Sequence, residues 1–290
     1  MIYTIKNDYI SVSVNSFGGM LHSIQETDGF EYMWEGHEQI WPERDMVIFP
    51  YIARLFDGRY ECQGRIYEMD IHGFAKDHHF EVESSSKESI WFKLSYSDET
   101  LEQYPFFFVF KIGYQLDKNH IRICYEIANE GKETMYFGVG GHPGFRIPMD
   151  HGEFEDYYLE FKEEGQPKRI GMSKSLLRTG EDTPFPLEGG RRISLHHDLF
   201  DEDAILLKDM CKTVTLASEQ SKRSLTLTYP DMNYLGIWHV PNTKAEYVCL
   251  EPWTSLPSCD GAINVLEKQQ DLIALEPNGV YENTWQISIR

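Results

Sequence analysis

Four polar side chains stand in apolar or glycine-flanked stretches of this sequence, and each could do chemistry there. Arg54 follows Phe49-Pro50-Tyr51-Ile52-Ala53, a setting in which a lone charge is costly unless it meets a partner or a ligand. His72 precedes Gly73-Phe74. His142 sits in Gly138-Val139-Gly140-Gly141-His142-Pro143-Gly144-Phe145, whose small residues would leave open space above an imidazole. Glu251 closes the apolar run Tyr247-Val248-Cys249-Leu250 and is followed by Pro252-Trp253. A carboxylate at the end of a four-residue apolar strand is desolvated, which raises its pKa and poises it as a base near neutrality. Each residue has a plainer reading beside this one. A histidine next to a glycine is often a core residue bonded to backbone, Arg54 also reads as a buried ion-pair partner, and Glu251 as the cap of a turn. Together the four invite one site.

Strands are the elements that must hold them. Phe106, Phe108, Phe110, Ile112, Tyr114 and Leu116 share one face of a period-two pattern, and after Asp117-Lys118-Asn119 so do Ile121, Ile123, Tyr125 and Ile127. This predicts a long antiparallel hairpin. The same alternation marks Ile10, Val12 and Val14, then Phe92, Leu94 and Tyr96, then Leu225, Leu227 and Tyr229. Gln63-Gly64 reads as a second tight turn, between Arg59 to Cys62 and Arg65 to Met69. Helical periodicity is confined to Glu99 to Tyr104 and Ser173 to Arg178. The chain is therefore expected to be an all-β, antiparallel protein. No linker splits it, so residues 1–290 are read as a single domain, with Gly165 to Arg192 a long surface excursion.

Composition narrows the partners. With 27 Lys and Arg against 47 Asp and Glu the formal net charge is −20, which opposes binding to the phosphates of a nucleic acid or to an anionic membrane. The basic pairs Arg191-Arg192 and Lys222-Arg223 read as solvated positions. No apolar run approaches the ~20 residues that cross a bilayer. Met1 to Ser11 lacks the basic start and apolar centre of a signal peptide, so a cytoplasmic location is expected. Five dispersed cysteines, with no Cys-x-x-Cys, make neither a disulfide framework nor a zinc site.

Familiar cofactor and nucleophile motifs are missing. There is no phosphate-binding glycine loop ending in Gly-Lys-Ser/Thr, no Gly-x-Gly-x-x-Gly between strand and helix, and no Gly-x-Ser-x-Gly elbow. The neighbouring histidines His78 and His79, or His196 and His197, point to opposite faces of a regular strand and cannot chelate one ion. No cofactor and no metal are expected.

Four segments, in order, carry a resemblance. Phe49-Pro50-Tyr51-Ile52-Ala53-Arg54-Leu55-Phe56-Asp57-Gly58, Ile71-His72-Gly73-Phe74-Ala75-Lys76, Gly141-His142-Pro143-Gly144-Phe145 and Val248-Cys249-Leu250-Glu251-Pro252-Trp253 follow the order and spacing of the aldose 1-epimerase (galactose mutarotase-like) family. The chain resembles that family from the Phe17-Gly18-Gly19 turn to the closing strand Thr284 to Ile289. The resemblance implies an antiparallel β-supersandwich with an open sugar-binding groove. It implies Glu251 as general base and His142 as general acid, with His72 and Arg54 holding sugar oxygens. It puts a binding aspartate at Asp203, with Asp201 competing, and makes Trp238 and Phe145 groove-lining aromatics or plain core. Three positions depart from the family pattern: Lys76 stands for an arginine, Gly141 for the usual Asn, and Gly144 for Tyr or Ala.

The activity implied is cofactor-independent exchange of the α and β anomers of a hexose, by a monomer or homodimer whose partner is a small sugar. A related hexose-6-phosphate epimerase would add a cationic phosphate clamp, for which Lys76 and Arg59 are the candidates. A sugar-binding protein without turnover would have no use for a paired acid and base.

Overall fold

A computed structural model describes all residues 1–290. The period-two segments become strands as expected. Phe108–Asp117 pairs antiparallel with His120–Asn129, and its buried side chains are Phe108, Phe110, Ile112, Tyr114 and Leu116. Lys118 takes a positive φ of 54° in the turn that joins them. Gln63 and Gly64 both have positive φ between Arg59–Cys62 and Arg65–Glu68, the backbone that a two-residue hairpin of matching twist requires.

Two large sheets form the body. One has nine strands, with His120–Asn129 flanked by Phe108–Asp117 and the closing strand Val280–Ile289. The other has eight and carries Ile205–Lys208, Tyr234–Trp238, Tyr247–Trp253 and Gly140–Gly141 side by side. Phe110, Ile123 and Ile287 from the first meet Leu235, Ile237, Val248 and Leu250 from the second in one continuous core. Burial of so many aromatic and branched side chains, at about 1.5–3 kcal/mol for each large one, holds the two sheets together. These packed antiparallel layers are the ones that the resemblance implies.

Three local expectations are corrected. Asp98–Gln103 is a helix, capped by Ser97, but Ser173 to Arg178 is not. It folds back on itself, with the Ser173 N–H bonded to Leu177 O and a bridge from Met172 to Arg178, since a turn at Leu176, φ 60°, breaks any helix there. The Gly165 to Arg192 excursion is partly sheet: Lys168–Arg169 and Thr183–Pro184 extend the edge of the eight-stranded sheet. Finally, Glu251 does not end its strand. Tyr247–Trp253 runs on through Pro252 and Trp253, paired with Tyr234–Trp238. No helix is long and apolar enough to cross a membrane.

Candidate active site

Glu251 lies mid-strand in the eight-stranded sheet, opposite Gly236. A side chain at position 236 would crowd it, because a Cβ there would stand 3.1 Å from Glu251 Cβ and 3.3 Å from its Oε2. His142 follows the two-residue strand Gly140–Gly141, which is sandwiched between Tyr247–Trp253 and Val47–Ile48. The two meet: His142 Nε2 is 3.3 Å from Glu251 Oε2, with both side chains almost wholly buried. His142 Nδ1 has no partner, and the ring stands against Trp41 and Trp238 at centroid distances of 5.4 and 5.5 Å.

Burial drives both members of this pair toward neutrality. Desolvation pushes the Glu251 carboxyl well above the usual range, and the charges of Asp203 and Asp45 add to it. The same desolvation lowers His142 to about 4. The pair thus keeps one exchangeable proton, held on Glu251. The Cys249 thiol lies within 4.8 Å of both groups. Burial, with Glu251 and Asp45 nearby, pushes its pKa up and leaves it a neutral thiol.

His72 completes the polar floor. Its ring is 5.3 Å from that of His142, edge to face. The backbone there is unusual, with φ of 66° at His72 and 71° at Gly73, and a Cβ at Gly73 would fall 2.3 Å from Phe49 O. Ala53 N–H donates to His72 Nδ1 at 3.3 Å. Since burial holds the imidazole neutral, with pKa well below its ordinary value, the proton sits on Nε2, which is left to donate to a ligand.

These groups open into one cavity of about 880 Å³, lined among others by Arg54, His72, His142, Trp238, Glu251 and Trp253. Its size falls in the ~300–1,000 Å³ range of small-molecule sites. Arg54 is exposed on its wall and forms no ion pair, so it is not the buried charge its apolar neighbours suggest. Asp201 and Asp203 both reach the cavity. Asp203, at φ 82°, accepts from the Ala204 N–H and is the one whose charge acts on Glu251. A second cavity of about 910 Å³, around Arg178, Gln269 and Asp271, contains none of these residues.

Three expected contacts are not made. Phe145 is fully buried in the main core, paired with Val248 across the sheet, and lies away from the cavity. Lys76 does not line the cavity, because its ammonium is turned to Asp77. Arg59 is bonded to Glu68 at 3.0 Å on a hairpin outside it. The cations that do line it are Arg54, Arg169 and Lys174, the last two from the edge excursion. Of the paired histidines, His197 bonds to His239 at 3.2 Å and His196 to Asp198.

Two glycines that depart from the family pattern have visible reasons. A Cβ on Gly141 would lie 2.7 Å from the Trp285 ring, and one on Gly144 would lie 2.7 Å from the Trp41 ring. Trp41 and Asp45 are the neighbours of the site that its motifs do not reveal. They come from an irregular segment, and nothing in Pro42-Glu43-Arg44-Asp45 distinguishes a buried carboxylate from a surface one. Trp253 was within reach of sequence reasoning, since it closes the Glu251 motif.

A buried carboxyl and a buried imidazole in contact, with a second neutral imidazole beside them, open into one cavity of small-molecule size. The aldose 1-epimerase family model matches residues 1–288, and the chain belongs to that family. It is 31% identical over 302 aligned positions to Protein LacX, chromosomal, of Lactococcus lactis subsp. lactis, covering 100% of this chain and 99% of that one. A galactose mutarotase related enzyme from Lactobacillus acidophilus superposes with TM-score 0.95 at 33% identity, covering 100% of this chain and 97% of the other. A galactose mutarotase-like protein from Lactobacillus casei ATCC 334 gives TM-score 0.95 at 27% identity, with 100% of both chains covered.

Proposed function

We propose that this protein is a cofactor-independent aldose 1-epimerase, an isomerase that interconverts the α and β anomers of a hexose. The observation that carries this reading is the contact of His142 Nε2 with Glu251 Oε2 at 3.3 Å on the floor of the cavity. The two oxygens that exchange protons in mutarotation, O1 and the ring oxygen O5, are bonded to the same carbon. A base and an acid that touch each other can therefore address both at once.

The proton balance closes on the pair. With the shared proton on His142, the Glu251 carboxylate takes the proton of the O1 hydroxyl and the O1 electrons form the carbonyl. The C1–O5 bond breaks with its electrons on O5, which takes the proton from His142 Nε2. This leaves Glu251 protonated and His142 neutral, the form that burial favours. Rotation about C1–C2 presents the other carbonyl face, and the reverse transfers close the ring. His72 Nε2–H, Arg54 and Asp203 hold sugar oxygens while this happens, with Trp238 against the ring and Trp253 beside it. The protein acts on a small sugar as a single domain over residues 1–290.

Polarimetry on freshly dissolved α-glucose and α-galactose tests the reading. A catalysed approach to the anomeric equilibrium supports it, and a rate no faster than buffer sinks it.

A further inference from the structure

Asp45 is a carboxylate buried beneath the site, 2% exposed and in no ion pair. It is absent from the cavity lining, so it does not meet a ligand. Its Oδ2 accepts the Leu21 N–H at 2.9 Å, and its Oδ1 accepts the backbone N–H of His142 at 3.3 Å. Its neighbour holds the far end of the same turn: Gly144 N–H donates to Arg44 O at 2.9 Å. On the other side Pro143 O accepts the Leu250 N–H at 3.2 Å. The His142-Pro143-Gly144 turn is thus strapped between residues 44–45 and the strand that carries Glu251.

We propose that Asp45 is a positioning residue for the acid–base pair: its bond to the His142 backbone sets where the imidazole stands against Glu251, and its charge tunes the pH range in which the pair works. This rests on the epimerase reading above. The titratable groups facing it are Glu251 and Cys249 from one strand, Tyr114 and Tyr125 from the opposite sheet, and His142 itself. None is a cation. Burial pushes Asp45 up to about 6 against the pull of its N–H donors, so it is ionised at neutral pH and uncharged in mild acid. Its charge reaches Glu251 and favours the protonated carboxyl. The effect is felt above the Asp45 titration and vanishes below it.

Asp45→Asn keeps the shape, removes the charge and turns an NH₂ toward one of two N–H donors. The expected result is a fall in kcat of about 10- to 100-fold, the scale of a small misplacement of a reacting group, with KM within about twofold. The alkaline limb of kcat/KM moves to lower pH, because Glu251 loses a neighbouring negative charge. The acid limb stays, because Asp45 is already neutral there. A folded variant with wild-type kcat and both limbs unmoved overturns the proposal. Should the variant not fold, the wild type decides. With ¹⁵N-histidine and ¹³C-carbonyl glycine, only His37 and His142 follow a glycine, so their amides can be observed alone. A His142 amide that titrates near pH 6 supports the bond to an ionising Asp45, and one that does not move between pH 5 and 7.5 overturns it. That titration is recorded without substrate, so it is read separately from any failure of the wild type to catalyse mutarotation.

Discussion

Trp41 packs against the face of His142 at 5.4 Å because Gly144, two residues beyond the histidine, has no side chain. The same indole stacks on Tyr247 at 5.3 Å and meets Trp238 edge-on at 5.6 Å. It joins the His142 ring to an aromatic of the cavity wall.

Gly144→Ala therefore strikes at His142 through a residue outside the cavity lining. The new methyl would lie 2.7 Å from Trp41 Cζ3, so the indole must shift. Overpacking of this kind costs about 1–3 kcal/mol. Urea denaturation should show that loss, and kcat should fall with it. Unchanged kcat at reduced stability would show that Trp41 does not position His142.

Glu251→Gln should stabilise the fold while it disables the site. The folded pKa of Glu251 is raised, so its contribution to stability is fully present below the unfolded value of about 4.3 and is lost as pH rises toward the folded one. At pH 7 the wild type must keep a proton that the unfolded chain gives up. Glutamine carries no such penalty. Denaturation midpoints should favour the variant at pH 7 and converge near pH 4. A variant less stable than wild type at pH 7 would contradict a protonated, desolvated Glu251.

His142 titrates in the opposite sense. Its folded pKa is depressed to about 4, so its contribution is present above the unfolded value of about 6.5 and drains away as pH falls to 4, by about 3 kcal/mol at most. The acid limb of kcat/KM should fall in the same region, where a second proton loads onto the pair. An acid limb near 6.5 would indicate a solvated histidine.

Arg54 and His72 should separate by their surroundings. Arg54 is exposed and unpaired, so Arg54→Ala should raise KM about tenfold and leave the thermal midpoint within about a degree. His72 is buried at a positive φ of 66°. His72→Asn, a residue that tolerates that backbone, should raise KM by a similar factor and fold. A loss of kcat alone in either variant would contradict a role in holding substrate.

The sheets were legible because period-two alternation survives wherever one face of a strand is buried, as from Phe106 to Ile127. The site motifs were legible because Arg54, His72, His142 and Glu251 each stand in a short, distinctive local sequence, although only Glu251 lies within a strand. Phe145 was ambiguous for the same reason: beside a site histidine, an inward and a cavity-facing aromatic look alike in sequence. Ser173 to Arg178 misled because its six mixed polar and apolar residues fit a tight reversal as well as a short helix. Asp45 and Trp41 were invisible, since their positions are set by long-range contacts with Leu21, His142 and Gly144 and by no local pattern.

Anomer exchange at equilibrium is the most direct test of the pairing of Glu251 with His142. Magnetisation-transfer NMR on an equilibrated hexose reads the α–β interconversion rate with no net reaction to follow. Wild-type protein should carry exchange well above buffer, and Glu251→Gln and His142→Asn should each lower it by about 10²- to 10⁴-fold, with both proteins folded. Exchange at the wild-type rate in folded Glu251→Gln would contradict the account.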